Sequence, residues 1–80
     1  MSDDKAKAII ESLMPLQRKG ELFPCPRCGK HRMDPVAHRN ALSRYANVYI
    51  CSWCGVEEAM YDFCHQSPLP FKEWATAHWD

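Results

Sequence analysis

Near the start of the chain, apolar residues recur at helical spacing. Ala6, Ile9, Ile10, Leu13 and Met14 share one face of a predicted helix over residues 3–14. Ser2 or Asp3 is placed to cap it, and the acidic Asp3 and Asp4 suit the positive end of its dipole. Pro15 ends or kinks this helix, residues 16–19 add a turn, and Gly20 closes it. Residues 21–24 then run extended, and residues 30–33 are predicted as a return strand. Asp34-Pro35 signals a turn, and residues 36–44 show no clean period. Residues 47–51 alternate, with Val48 and Ile50 on one side and Tyr49 on the other, which predicts a strand. Gly55 opens a second helix over residues 56–65. Its apolar stripe of Val56, Met60, Phe63 and Cys64 is expected to face the core, leaving Glu57, Glu58 and Asp62 in water. Ser67-Pro68-Leu69-Pro70 breaks the chain. A last helix over residues 71–79 carries Phe71, Trp74, Ala75 and His78 at i, i+3, i+4 and i+7.

The apolar content behind these elements is thin. Val, Ile, Leu and Phe make up 14 of the 80 residues. A chain this short is one domain that buries only about 60% of its unfolded surface, and it needs a staple such as a metal or disulfides. Four of the five cysteines supply one. Cys25-Pro26-Arg27-Cys28-Gly29 and Cys51-Ser52-Trp53-Cys54-Gly55 are both C-x-x-C-G, with 22 residues between Cys28 and Cys51. In such a turn both thiolates point one way, backbone N–H groups bond the sulfurs, and the following glycine allows the positive φ that closes it. Two such knuckles give four-sulfur tetrahedral coordination. Zinc is the expected ion, one per chain, with rubredoxin-like iron as the alternative. Four sulfurs leave no position for a catalytic water, so the site holds the fold and the chain is expected not to be an enzyme. Cys64 stands apart and reads as a small buried apolar residue.

Charge narrows the partners. The chain has ten basic and ten acidic residues and a formal net charge of zero, which excludes a globally basic nucleic-acid binder. Split along the chain, residues 1–24 are balanced, residues 25–54 carry +4 and residues 55–80 carry −4. Arg27, Lys30, Arg32, Arg39 and Arg44 make the middle segment basic. They either offset the sulfur cluster or face phosphate. Asn40 and Tyr45, beside Arg39 and Arg44, add groups that read and stack on bases. Trp53, between the second pair of cysteines, packs on a terminal helix or anchors a partner. Trp74 is expected in the core, while Trp79 is divided between packing and contact. No apolar run approaches the ~18 residues of a membrane span, and the first residues lack a signal-peptide pattern. A cytoplasmic chain without membrane attachment, monomeric or weakly dimeric, is therefore expected, and in that reducing compartment paired cysteines favour metal over disulfides.

The runs Phe23-Pro24-Cys25-Pro26-Arg27-Cys28-Gly29-Lys30, Arg39-Asn40-Ala41-Leu42-Ser43-Arg44 and Val48-Tyr49-Ile50-Cys51 with Cys54-Gly55 resemble small zinc-ribbon proteins of bacteriophages and other mobile elements. The resemblance implies a phage source and a host bacterial cytoplasm. It also implies action on a host protein or nucleoprotein complex, for example as an inhibitor of CRISPR-type defence or as a transcription modulator. The expected fold is a small α+β zinc ribbon: an N-terminal helix (1–20), two knuckles on a short antiparallel sheet (21–55) and one or two C-terminal helices (56–80), all one domain. The expected function is a non-enzymatic binding module. A direct nucleic-acid-binding ribbon is the alternative, and iron electron transfer the third reading.

Overall fold

The computed structural model describes residues 3–21 and 23–78. Ser2, Leu22 and Trp79, which enter the expectations above, lie outside the described residues. Helix α1 spans Asp3–Glu11 and buries Ala6 and Ile10, with Asp3 and Asp4 in its first turn. The break expected at Pro15 falls earlier, at residues 12–13, and the expected further turn is a short second helix. α2 spans Met14–Arg18 and starts with Pro15 in its first turn, where the missing N–H costs nothing. Gly20, at φ +84°, ends α2 as the sequence suggests. Its N–H donates to Gln17 O (3.0 Å) and the Glu21 N–H donates to Leu16 O (3.2 Å), a Schellman cap.

Strands β1 (Ala41–Leu42) and β2 (Tyr49–Ile50) pair antiparallel, with Ala41 opposite Ile50 and Leu42 opposite Tyr49. The partner of β2 thus comes from the segment with no clean period, not from residues 30–33, which form no strand. The other edge of β2 is closed by a side chain. Nε2 of Gln17 donates to Tyr49 O and the Tyr49 N–H donates to Oε1 of Gln17, both at 2.9 Å. A buried glutamine therefore does the work of a third strand, satisfying backbone groups that burial would otherwise leave unpaired.

Helix α3 spans Ser52–Phe63 and begins four residues earlier than predicted. Gly55 consequently sits inside a helix and has no positive φ, unlike Gly29 at φ +77°. It serves close packing instead, because a Cβ there would come within 2.5 Å of the Ala41 Cβ on β1. Gly55→Ala should cost about 1–3 kcal/mol by overpacking, less the ~1 kcal/mol that alanine gains in a helix. Urea melts of the metal-loaded protein should show this loss, and Ala41→Gly in the same chain should recover most of it. If Gly55→Ala alone melts like wild type, α3 does not press on β1 as described.

The predicted last helix is two 3-10 turns, Phe71–Glu73 and Ala75–His78, either side of Trp74. Trp74 is in the core, as expected, with its Nε1 donating to Leu69 O (3.3 Å) and its ring 5.4 Å from that of Phe71. This tail clamps the first cysteine turn. The Ala75 N–H donates to Arg27 O (3.1 Å), and the Thr76 N–H (3.0 Å) and Oγ1 (2.7 Å) both donate to Pro26 O. The core cluster is Ile10, Ala46, Val48, Ile50 and Trp74 together with Cys25, Cys51 and Cys54. Three of the eight are thiols, so what fills the space between the sulfurs decides whether this core is stable.

Candidate metal centre

The two cysteine pairs approach each other from different local structures. In the first turn the Gly29 N–H donates to Cys25 O (2.8 Å) and the Cys25 N–H to Lys30 O (2.9 Å). The second pair sits at the start of α3: Cys51 is extended (φ −67°, ψ 160°) and Cys54 lies in the first helical turn. The Gly55 N–H donates to Cys51 O (3.0 Å) and begins the helical ladder. A helix N-terminus is an electropositive setting that favours thiolate.

The four sulfurs lie within 4.8 Å of one another. Cys25 and Cys54 are 3.7 Å apart at Sγ, and Cys28 and Cys51 are 3.8 Å apart. Zn–S bonds of about 2.3 Å at tetrahedral angles require sulfurs about 3.8 Å apart. The Cys51 N–H donates to Cys25 Sγ (3.3 Å), as thiolate ligands commonly require. Hydrogen bonding between the sulfurs of Cys25 and Cys54 pulls the Cys25 thiol down from 9.0 to about 5 and pushes Cys54 up. Burial raises Cys51. A metal ion binds such a cluster through thiolates, so its uptake releases protons.

Arg27, expected on a partner-facing surface, is 5% exposed instead. Its Nη1 lies 2.9 Å from Glu57 Oε1, its Nε lies 3.7 Å from Glu58 Oε2, and its guanidinium sits 5.8 Å from the Tyr61 ring centroid. Burial opposes its charge, but Cys54 and Glu57 outweigh burial and hold it protonated. One buried nitrogen, Nη2, has no hydrogen-bond partner among the described residues. A divalent ion with four thiolates carries net −2, so a cation buried beside Cys54 fits that centre. Of the two roles open to Arg27, offsetting the sulfur charge is the one its position serves.

Glu58 was expected in water and is 1% exposed. It accepts from Ser43 Oγ (2.9 and 3.2 Å) and from the Arg44 N–H (2.8 Å), so it ties the β1–β2 loop to the metal centre through Arg27. The helical period shows why it points inward. Cys54 must face the other sulfurs, and Glu58 and Tyr61 follow at i+4 and i+7 on the same face. Counting from the ligand, not from the apolar residues, would have found Glu58. The same phase turns the predicted core stripe outward: Val56, Met60, Phe63 and Cys64 are all exposed.

The remaining residues singled out in the sequence separate into two groups. Asn40 is spent on the 34–40 loop, accepting from the Asp34 N–H (2.8 Å) and donating to Asp34 O (2.9 Å). Arg44 pairs with Asp62 at 3.3 Å, and Tyr45 is half-buried. Lys30, Arg32 and Arg39 are exposed. Trp53 does not pack on a terminal helix: it is 70% exposed, with the Arg32 guanidinium 5.5 Å from its ring centroid.

Fold and site together define a small α+β protein with a four-cysteine cluster suited to a metal ion. No protein-family model matches the chain, and no curated protein or solved structure matches it either. Among the described residues, no helix is long and apolar enough to cross a membrane.

Proposed function

We propose that this chain is a zinc-ribbon binding module of the bacteriophage type, with no catalytic chemistry of its own, that acts on a host protein or nucleoprotein complex. The observation that carries this reading is the cluster of Cys25, Cys28, Cys51 and Cys54, whose sulfurs lie within 4.8 Å of one another; four thiolates on one ion would leave it no position for substrate. Zinc is the ion proposed, and the buried Arg27 beside the cluster fits the net −2 of a divalent ion with four thiolates. The contact residues are the exposed cations Lys30, Arg32 and Arg39, which would meet an acidic surface.

A second reading, direct nucleic-acid binding, is favoured by Arg32 lying over the exposed Trp53 ring, a platform on which an unpaired base could stack. Of the five cations of residues 25–54, Arg27 is buried and Arg44 is paired. The three left give a salt slope no steeper than about −3 on duplex DNA, so affinity for nucleic acid should be slight at moderate salt. Gel shifts with single- and double-stranded DNA and RNA separate the two readings. The expected result is no complex at moderate salt, together with one zinc per chain by elemental analysis. A tight complex lost in Lys30→Ala/Arg39→Ala would replace the first reading with the second.

A further inference from the structure

Helix α3 shows an apolar face that the described chain leaves mostly exposed, with the Arg32 guanidinium over the Trp53 ring at one end. Trp53 and Phe63 are 70% and 83% exposed, and Val56 and Met60 are more than half exposed. Their spacing is three, four, three, which is the a/d pattern of a helix–helix seam. The flanking positions on one side of this seam, Ser52 and Ala59, are small. An open groove runs beside it, lined by Val56, Ala59, Met60 and Phe63, with the Arg44–Asp62 pair at its rim.

We propose that this face binds a second copy of the chain, with the two α3 helices packed antiparallel about a two-fold axis that crosses the apolar face between Val56 and Met60. The inference rests on reading the chain as a metal-held binding module, since Cys54 at the metal is what turns this face outward. Symmetry names the occupant. A two-fold interface must be complementary to itself. Read from either end, the stripe is aromatic, aliphatic, aliphatic, aromatic at the same spacing. Reversal sets Trp53 against Phe63 of the second copy and Val56 against its Met60, like against like in size.

Area and charge agree with this occupant. Aromatic side chains bury about 150–250 Å² each, so the four seam residues offer on the order of 500 Å², the apolar centre of an interface of about 800 Å² per partner. Small Ser52 and Ala59 let the helix axes come within about 8–10 Å. Reversal also brings the two Glu57 side chains to one side of the axis, each paired with its own Arg27 at 2.9 Å. Arg32, with its guanidinium 5.5 Å from the Trp53 ring centroid, sits at the end of the seam.

Sedimentation equilibrium of the zinc-loaded full chain, from low micromolar to several hundred micromolar, tests the proposal. The expected result is a reversible dimer of twice the 9.3 kDa chain mass. Phe63→Glu and, separately, Met60→Glu should weaken it roughly tenfold or more while keeping one zinc per chain and the wild-type melting temperature. Direction is read by disulfide formation under mild oxidation. Ala59→Cys lies close to the axis and should cross-link. The two native Cys64 side chains sit about 18 Å apart along antiparallel helices and should not. Monomer at every concentration with one zinc bound overturns the dimer and leaves the binding-module reading standing. A chain that takes up no metal overturns that reading instead. Dimers unaffected by both seam variants, or cross-linked through Cys64, overturn the antiparallel seam.

Discussion

Removing the metal is expected to unfold this protein outright. Zinc in small four-ligand sites is worth about 10–16 kcal/mol, against a total stability of about 5–15 kcal/mol for an ordinary domain. The core has little to set against that loss, because three of its eight clustered residues are the ligands Cys25, Cys51 and Cys54. Without the ion, four thiols drawn within 4.8 Å of one another are left to share protons at the centre of the fold. Excess chelator should abolish the cooperative thermal transition and the helical circular dichroism. Tryptophan emission should move to longer wavelength as Trp74, now 1% exposed, meets water. Returning one equivalent of zinc should restore all three signals. An unchanged cooperative melt in a sample shown to be metal-free would overturn the structural role of the cluster.

Loss of Glu58 is expected to have the next largest effect. Removing one member of a buried charge pair costs about 3–5 kcal/mol, because the other charge stays buried. Here Arg27, itself 5% exposed, would keep only Glu57, and Ser43 Oγ and the Arg44 N–H would lose their acceptor. Glu58→Ala should therefore lower urea-unfolding stability by several kcal/mol, with zinc content unchanged at saturating metal. Glu58→Gln keeps the shape and one acceptor and should fall between Ala and wild type. Asp62→Ala is the control. It breaks the exposed pair to Arg44, and pairs of that kind are worth about 0–1 kcal/mol. Equal losses for Glu58→Ala and Asp62→Ala would mean that Glu58 does not hold the loop to the metal centre.

Much of the local structure was legible in the sequence because local chemistry dictates it. Pro15 and Gly20 bound α2, and Gly29 has the left-handed φ that its cysteine turn requires. The paired strand at Val48-Tyr49-Ile50 was visible in its alternation, although only Tyr49–Ile50 is regular strand. The thin count of large apolar residues pointed to a staple, and the two C-x-x-C-G runs pointed to which one. Side chains acting over long distances were not legible. Gln17 closing the edge of β2, Thr76 clamping Pro26 and Glu58 reaching Ser43 each join residues between 15 and 50 positions apart. No period or motif announces them.

The face of α3 marks the boundary most sharply. Hydrophobicity alone placed Val56, Met60, Phe63 and Cys64 inside and Glu58 outside, and the fold reverses both. A helix has one rotational phase. Here Cys54 sets it, because a ligand must point at its metal, and every residue of α3 then turns with it. By itself, the sequence singled out the four cysteines that cluster, the glycine turn that follows the first pair and the need for a staple. Only the tertiary structure decided which side of α3 faces water, that Arg27 is internal, and that a palindromic apolar seam remains outside. The physical reason is that coordination fixes direction, whereas burial of apolar area has none.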